Sequence, residues 1–472
     1  MSYPTEPPRV LEKSNSNPLS PAVRGYPAVG VLPQLLRNPL QFTTRAVHDH
    51  AGIARVSLGP LEVTLVGRPD YAQHILRDRA ANYTKAGGMW DALRLLGGEG
   101  LGTIDGAPWR KQRRMMQPLF QRPRLAGLPP LITACVDTCM PRWEAAARKR
   151  APLDIVPELE QITMRVVLRT SFSTAINDAE IAEINAAISF ALGHVGMRMW
   201  AASLPPWLPM PGHRRFRAAL QLIDRIVYRI IEERRRKPEA TDDLLALLLT
   251  TRDETTGAAM SDQRLRDELV GFYVAGYETV SNALSWTLYL LGRHPEVQSR
   301  LHEELDLVLA GRTPSFADLS QLTYTKMIFQ EVLRLYPPAW IVPRCAQEED
   351  LLGGYRIPAG AHIAILLYAI HRHPSHWNDP EAFKPERFSE GSTVRAPCAY
   401  LPFGAGARQC IGSSFALLEG PLVLAMLAQR FRLRLWPGHP VEPRGALALR
   451  PRHGVRVSLE ARGVGHGRGT GS

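Results

Sequence analysis

One cysteine-bearing turn constrains this chain more than any other stretch of its 472 residues. Residues 401–412 read LPFGAGARQCIG, so that Cys410 lies among glycines at 404, 406 and 412. Glycine adopts positive φ angles and lets a backbone approach a flat ligand closely. A helix is predicted to begin after the turn, and the positive potential at a helix N-terminus favours the thiolate form of a nearby cysteine. Such a loop suits an axial thiolate ligand to heme iron, whereas the alternative is a small buried cysteine in a turn.

The composition is that of a globular protein kept in a reducing compartment. Charged residues are 22% and hydrophobic residues 45% of the chain. The five cysteines are few and odd in number, which argues against a disulfide framework. The formal net charge is +12. A basic balance can indicate nucleic-acid binding, but no nucleic-acid motif is present, and an acidic protein partner explains the charge as well.

The two ends of the chain predict flexible segments around one domain. Residues 1–28 are rich in Pro, Ser and Asn without a hydrophobic run, and no segment offers about 18 uninterrupted apolar residues. We therefore expect no transmembrane anchor and a cytoplasmic protein. The predicted organisation is a flexible segment at 1–24, a single domain at 25–460 and a flexible tail at 461–472.

Periodicity predicts a mainly α fold with a smaller β-rich part (α+β). The β-rich part comes from residues 54–66, an alternating hairpin, and from two strands within residues 340–368. Residues 130–250 are mostly helical, and one long helix is expected over residues 261–294 with Ser261 as its N-cap. The final helix contains Gly420-Pro421, for which the sequence supplies no reason.

Two irregular stretches are candidates for the walls of a pocket. Residues 85–101 are Gly-rich with several large apolar residues, and predict a mobile loop. Residues 197–211 are too rich in Pro for a helix and too apolar for an ordinary loop. The second stretch is interpreted first as a lid, with a membrane-dipping edge and simple packing as alternatives.

The middle of the long helix carries an unusual group of residues, Ala275-Gly276-Tyr277-Glu278-Thr279. A glycine inside a helix costs about 1 kcal/mol relative to alanine, so Gly276 needs a reason. Ala275 and Gly276 offer a flat patch for a ligand. Thr279 can bond back to the carbonyl of Ala275, or release it to water and bend the helix. The alternative is a polar stripe on a buried helix.

These motifs, in this order, resemble those of the cytochrome P450 monooxygenases of the soluble, bacterial type. The resemblance rests on Trp109-x-x-x-Arg113, residues 275–279, Glu331-x-x-Arg334, residues 383–388 (FKPERF) and the 401–412 turn. It implies heme b (iron protoporphyrin IX) held between the long helix and the Cys410 loop, with Cys410 as the only protein ligand of the metal.

The resemblance also assigns roles to individual residues. Glu278 relays protons and Thr279 holds an ordered water beside O2. Glu331, Arg334 and Arg387 form a structural lock. The remaining cofactor-binding residues are four that hold the propionates (Trp109, Arg113, Arg344 and Arg408), one that packs near the sulfur (Phe403) and two that lie against the heme (Ala275 and Gly276).

The implied reaction is the insertion of one oxygen atom of O2 into a lipophilic small molecule by hydroxylation or epoxidation. A terpenoid, polyketide or fatty-acid-like substrate of secondary metabolism is expected. Because the chain contains no flavin motif and no cysteine cluster, electrons come from a separate ferredoxin or flavodoxin with its NAD(P)H-dependent reductase. A basic patch of Arg110, Lys111 and Arg114 would receive that partner. A monomer is expected, and the alternatives are a peroxide-driven peroxygenase or a non-catalytic heme-binding sensor or carrier.

Overall fold

A single long helix organises the chain in this computed structural model, which describes residues 17–173, 178–200, 210–237, 243–252, 257–392 and 396–463. The helix runs from Asp262 to Arg293, and its 32 residues correspond to a length of about 48 Å. Ser261 caps the N-terminus by accepting a hydrogen bond from the backbone N–H of Arg264 at 3.3 Å. The predicted helix over 261–294 and its cap are both confirmed.

Helices dominate the described residues, and the predicted mainly α class is confirmed. In chain order the α-helices are α1 Leu32–Arg37, α2 Pro39–Asp49, α3 Pro69–Gln73, α4 Gly88–Gly97, α5 Gly106–Met116, α6 Arg122–Ala126, α7 Pro129–Lys149, α8 Ile155–Phe172, α9 Asp178–Trp200, α10 His213–Arg236, α11 Leu244–Thr250, α12 Asp262–Arg293, α13 Pro295–Leu309, α14 Thr323–Leu335, α15 Leu367–Ile370 and α16 Ser413–Arg430. The strands are β1 Ile53–Leu58, β2 Leu61–Val66, β3 Tyr83–Thr84, β4 Leu153–Asp154, β5 Val342–Ala346, β6 Asp350–Leu352, β7 Tyr355–Ile357, β8 His362–Ile365, β9 Phe431–Leu435, β10 Pro443–Gly445, β11 Leu449–Pro451 and β12 Arg456–Ala461. None of the helices in these ranges is both long and apolar enough to cross a membrane.

The long helix α12 runs between two apolar clusters. Its N-terminal half contributes Leu265 and Leu269 to a cluster shared with α8, α9 and α10. Its C-terminal half contributes Leu284 and Leu288 to a second cluster, shared with α7, α14 and α16. Because both halves are buried, the middle of α12 is held in place from both sides.

A five-stranded sheet with the order β1-β2-β8-β5-β3 accompanies the helices. β1 and β2 form an antiparallel hairpin in which Ser57 lies opposite Glu62. β8 pairs with β2 in parallel and with β5 in antiparallel orientation. The predicted β-rich part from residues 54–66 and 340–368 is confirmed.

The predicted mobile loop at residues 85–101 is wrong, because most of it forms α4. Trp90, Ala92 and Leu96 are buried on this helix, which packs against α9. The glycines that suggested a loop lie mainly at the two ends of the helix, where Gly87 and Gly98 have φ angles of 90° and 51°. The apolar face found a tertiary partner that the local sequence does not reveal.

The predicted helix break at residue 197 is also wrong. α9 continues to Trp200, so that Met197 and Met199 are helical. The Pro-rich residues 201–209, which carry most of the predicted lid, lie outside the described residues.

The structure also bears on the two predicted flexible ends of the chain and on Gly420. The backbone N–H of Val23 donates to Arg55 at 2.8 Å, so part of the predicted flexible segment at 1–24 pairs with β1. Arg462, placed in the predicted tail, donates from its backbone to Arg430 at 2.8 Å. A side chain at Gly420 would lie 2.2 Å from the ring of Phe329, which explains this glycine as a point of close contact between α16 and α14.

Candidate functional site

The Cys410 turn is held by its own backbone and by a neighbouring helical turn. The N–H of Cys410 donates to the carbonyl of Phe403 at 2.9 Å. Gly406 has a φ angle of 70°, and a Cβ there would lie 2.1 Å from the carbonyl oxygen of Leu76. Only glycine therefore allows the turn to pack against residues 74–78, which form one π-helical turn.

A buried lock connects this turn to α14. Glu331 and Arg334 have no exposed surface and form two hydrogen bonds of 2.7 and 2.8 Å. Arg387 lies 3.3 Å from the same carboxylate, which confirms the predicted lock. Arg334 also donates to the carbonyl of His371 at 3.0 Å, and His371 accepts the N–H of Leu401 at 2.7 Å. Burial lowers the pKa of His371 to about 3, so a neutral ring receives the first residue of the turn.

An apolar cavity of about 310 Å³ lies at Cys410. Its walls come from α12, α14, α16, the segment 338–344 and the turn itself. Of the predicted site residues, the lining contains Ala275, Gly276, Thr279, Arg344, Phe403, Arg408 and Cys410. The structure thus brings together the long helix and the cysteine turn around one space.

Cys410 differs from the sequence expectation in one respect. Its side chain is exposed to the cavity, but the surrounding protein raises the pKa of the thiol above its usual value through burial. The N–H of Gly412 and the guanidinium of Arg113 act in the opposite direction, as expected at a helix start. Burial outweighs them, so the protein alone does not favour the thiolate. A coordinated metal ion reverses this balance, because it deprotonates a thiol ligand.

The face of α12 at the cavity serves two purposes. Thr279 donates from Oγ1 to the carbonyl of Ala275 at 2.7 Å, as predicted from their spacing. Gly276 borders the cavity, but a Cβ there would lie 2.7 Å from the side chain of Val167. The glycine therefore also allows α8 to approach α12 closely, a tertiary reason that the sequence does not show.

A cluster of three cations, one buried and two half-buried, lies at the edge of the cavity, and two of the three line it. Arg344 is buried, and burial with the nearby Arg408 lowers its pKa to about 10. Arg408 lies 4.1 Å over the ring of Trp109 and pairs with Asp105. Lys85 joins them, and burial followed by repulsion from Arg344 and Arg408 lowers its pKa to about 7. Sequence reasoning missed Lys85, because nothing in its neighbourhood distinguishes it from a surface lysine.

The charge of this cluster bears on whether the cavity can hold a heme. Buried cations need anionic partners, and Asp105 is the carboxylate that acts on Lys85, Arg344 and Arg408 alike. Two further carboxylates at this border would balance the charge. A flat apolar cofactor with two propionates and a thiolate-liganded metal therefore matches the cavity, its cysteine and its charged border.

Arg113, the remaining predicted propionate ligand, lies against the cysteine turn in this structure. Its guanidinium donates to the carbonyl of Gln409 at 2.8 Å and to the side chain of Gln117 at 2.9 Å. It therefore supports the residue before Cys410. Trp109 and Arg113 lie on the same face of α5, but they have different neighbours: Trp109 lies under Arg408, and Arg113 lies at the cysteine turn.

Glu278 does not line the Cys410 cavity. It borders a second, polar cavity of about 550 Å³, together with Glu160 of α8 and Arg450 of β11. The pKa of Glu278 is raised to about 7, chiefly by burial; Arg450 acts to lower it and Glu160 acts to raise it. The sequence motif placed Glu278 beside Thr279 correctly, but it did not show that the two side chains face different spaces.

Comparison with known proteins gives a consistent result. The family model for Cytochrome P450 matches residues 20–457. Cyclooctatin synthase of Streptomyces melanosporofaciens is 35% identical over 90% of this chain and 92% of its own. Pentalenene oxygenase of Streptomyces avermitilis is 33% identical over 93% and 96% of the two chains. The crystal structure of the cytochrome P450DA heme domain superposes with a TM-score of 0.86 at 26% identity, covering 95% of this chain and 99% of that one.

Proposed function

This chain belongs to the cytochrome P450 family of heme monooxygenases, and we propose that it oxygenates a lipophilic, terpenoid-like compound of secondary metabolism. The observation that carries the proposal is the apolar cavity bordered by Cys410, Thr279 and the cation cluster. The overall reaction consumes the substrate, O2, two electrons and two protons, and it yields the oxygenated product and water.

The chain's own residues would hold the heme at three places. Cys410 provides the metal ligand, and α12 provides a flat wall through Ala275 and Gly276. The propionates would meet Lys85, Arg344, Arg408 and the indole N–H of Trp109, because buried carboxylates need donors. When bound, the heme supplies O2 binding and reductive O–O cleavage, assisted by electron donation from the thiolate.

Thr279 and Glu278 are assigned to proton delivery. The hydroxyl of Thr279 now donates to Ala275, and it can exchange this bond for an ordered water in the cavity. Glu278, with its pKa raised to about 7, can both accept and release a proton near neutral pH. The apolar walls keep other water away from the reacting atoms.

The substrate is proposed from the walls of the cavities and from the relatives. Met89, Met199, Trp340 and Ile341 line a small apolar cavity of about 70 Å³, next to the sheet. Methionine and aromatic side chains adapt to irregular apolar shapes. Two relatives are named for cyclooctatin and cyclooctat-9-en-7-ol, and a third for pentalenene. Within the lipophilic range, we therefore favour a cyclic terpenoid hydrocarbon or alcohol.

The electron donor is proposed to be a separate ferredoxin or flavodoxin. Arg110, Lys111 and Arg114 are exposed on α5, whereas Trp109 and Gln112 are buried on its other side. Reversing the charges of Arg110 and Lys111 should slow reduction several-fold and weaken its dependence on salt, because charge complementarity sets association rates. The measurement is stopped-flow reduction. Arg24→Glu with Arg456→Glu, two exposed arginines outside α5, is the matched control.

The test of the proposed function combines binding with isotope tracing. A panel of cyclic terpenes, macrolides and fatty acids is titrated while the spin state of the iron is followed, and binders are incubated with a ferredoxin, its reductase and NADPH under ¹⁸O₂. We expect tight binding of a terpene and one ¹⁸O atom per product. Product that forms only with added peroxide would support a peroxygenase instead. Absence of turnover with every electron source would support a sensor or carrier.

A further inference from the structure

The polar cavity beside Glu278 is a feature of the fold that the monooxygenase motifs do not account for. It is bordered by α1, α8, α9, α12 and the β10–β11 hairpin. It shares no lining residue with the Cys410 cavity, but it shares Leu35, Gly196, Ala446 and Leu447 with the small apolar cavity next to the sheet. Its ionisable lining residues are Arg37, Glu160, Tyr277, Glu278, Glu442, Arg444, Arg450 and Arg452. A polar space of this size holds several water molecules, so it can carry protons from solvent.

Glu278 and Tyr277 are the two residues of this cavity that stand next in sequence to residues of the Cys410 cavity, and Glu278 is the carboxyl of the pair. Thr279, the next residue on α12, lines the Cys410 cavity. Successive side chains of an α-helix point about 100° apart, so the side chains of these two adjacent residues can line two different cavities. A proton held on Glu278 is therefore one residue away from the hydroxyl that faces the apolar side.

Glu160 is the second carboxyl at this place. It projects from α8, which approaches α12 closely because Gly276 leaves room for Val167. Burial raises the pKa of Glu160 and Arg450 lowers it, while Glu160 in turn raises the pKa of Glu278. Asp154 at the N-cap of α8 adds a further negative charge that acts on Glu160. Two carboxyls that line one cavity beside one arginine are most stable when they hold one proton between them.

Arg450 is placed by a firm contact with α12. The carbonyl of Leu449 accepts a hydrogen bond from the indole N–H of Trp286 at 3.2 Å, and the N–H of Leu449 donates to Pro338 at 2.9 Å. Arg450, unlike the buried Leu449, is exposed to solvent. The arginine therefore stands where bulk water meets the carboxyl pair.

We infer that Glu160 and Glu278 together hold one proton beside Arg450, exchanged through water in the polar cavity that both residues line, and that Glu160 reloads Glu278 during turnover. This inference rests on the proposed function and extends it to a residue outside the long-helix motif. Each proton that Glu278 releases toward the O2-reducing side is replaced from Glu160, which takes its own from water in the cavity. Glu160 is thus a positioning residue that acts through Glu278.

The decisive measurement is an infrared pH titration of the resting heme-loaded protein, which does not depend on turnover. The carboxyl band that disappears in Glu278→Gln identifies Glu278. Glu160→Gln should lower the titration midpoint of that band, because it removes the neighbouring negative charge. Arg450→Gln should raise the midpoint. Glu442→Gln is the control, because Glu442 borders the same cavity but is exposed and lies 3.7 Å from Arg452.

Turnover provides the second readout. Glu160→Gln should lower kcat about tenfold and increase the solvent deuterium isotope effect, less than the 10²–10⁴-fold typical of losing a general acid itself. Binding of the substrate, read from the spin-state shift, should not change.

The outcomes separate this inference from the proposed function. An unchanged infrared midpoint in Glu160→Gln overturns the shared proton. A changed substrate Kd with an unchanged isotope effect overturns reloading and makes Glu160 a substrate contact. If the wild type shows no turnover with any electron source, the proposed function and reloading both fail, while the infrared shift still decides whether the proton is shared.

Discussion

The two sides of α12 at residues 275–279 offer opposite chemistry. The side of Thr279 borders an apolar cavity of about 310 Å³ at Cys410, and the side of Glu278 borders a cavity of about 550 Å³ with seven charged residues. An apolar, water-poor space strengthens electrostatic effects and limits side reactions, whereas a polar one supplies protons. One helical step separates these two environments, so the proposed proton delivery depends on α12 as much as on any single side chain.

The largest expected effect is a loss of activity from a substitution in the apolar cavity alone. Cys410→Ser should abolish monooxygenase activity and the thiolate-type absorption of the reduced, carbonyl-bound protein, because the metal loses its sulfur ligand. The polar side should be untouched, so the infrared midpoint of Glu278 should stay the same. A thiolate-type band retained in Cys410→Ser would remove Cys410 from the site.

The second prediction concerns the polar side and pH. The folded-state pKa of Glu278 is about 7 against an ordinary value of 4.5, so the folded state binds more protons between these limits. Wild-type stability that depends on this group is therefore fully present below pH 4.5 and is lost as pH rises through 7. Glu278→Gln resembles the protonated form. Relative to wild type, its free energy of unfolding should therefore rise by about 2–3 kcal/mol between pH 4.5 and pH 8. Urea unfolding of both proteins at several pH values measures this difference, and a constant difference would contradict it.

The third prediction sharpens the comparison at the boundary between the two sides. Gly276→Ala should destabilise the protein by about 1–3 kcal/mol, because the added methyl group overlaps Val167. Combining it with Val167→Ala should recover part of the loss, since the second change removes the obstructing side chain. Thermal unfolding of the two single variants and the double variant gives the interaction energy. Additive losses would exclude the proposed contact between α8 and α12.

The smallest effect is expected at Thr279. Thr279→Ala removes a hydroxyl worth about 1 kcal/mol in hydrogen bonding, so product formed per NADPH should fall about fivefold while peroxide rises. Oxygen uptake, peroxide and product are measured together. Thr279→Ser, which keeps the hydroxyl, should couple like wild type. Unchanged coupling in Thr279→Ala would leave proton delivery to Glu278 alone.

The failures of sequence reasoning share one cause. Residues 85–101 were predicted to be a loop from their glycines, yet Trp90 and Leu96 are buried on α4, which packs against α9. Lys85 and Glu160 carried no local signal, because groups distant in the sequence act on them. These groups are Arg344 and Arg408 for Lys85, and Arg450 for Glu160.

The sequence by itself determined the cysteine turn, the long helix with its Ser261 cap, the hairpin and the residues of the Glu331–Arg334–Arg387 lock. The turn, the long helix and the hairpin follow from helical spacing, strand alternation and the φ angles of glycine, all of which act over a few residues. The lock, which joins Glu331 to the distant Arg387, was implied only by the resemblance to the family's motifs. Only the tertiary structure decided that Glu278 and Thr279 face different cavities, and that Lys85, Arg344 and Arg408 lie around one carboxylate. The cost of burying a charge, and hence the pKa of each group, depends on which distant elements enclose the same space.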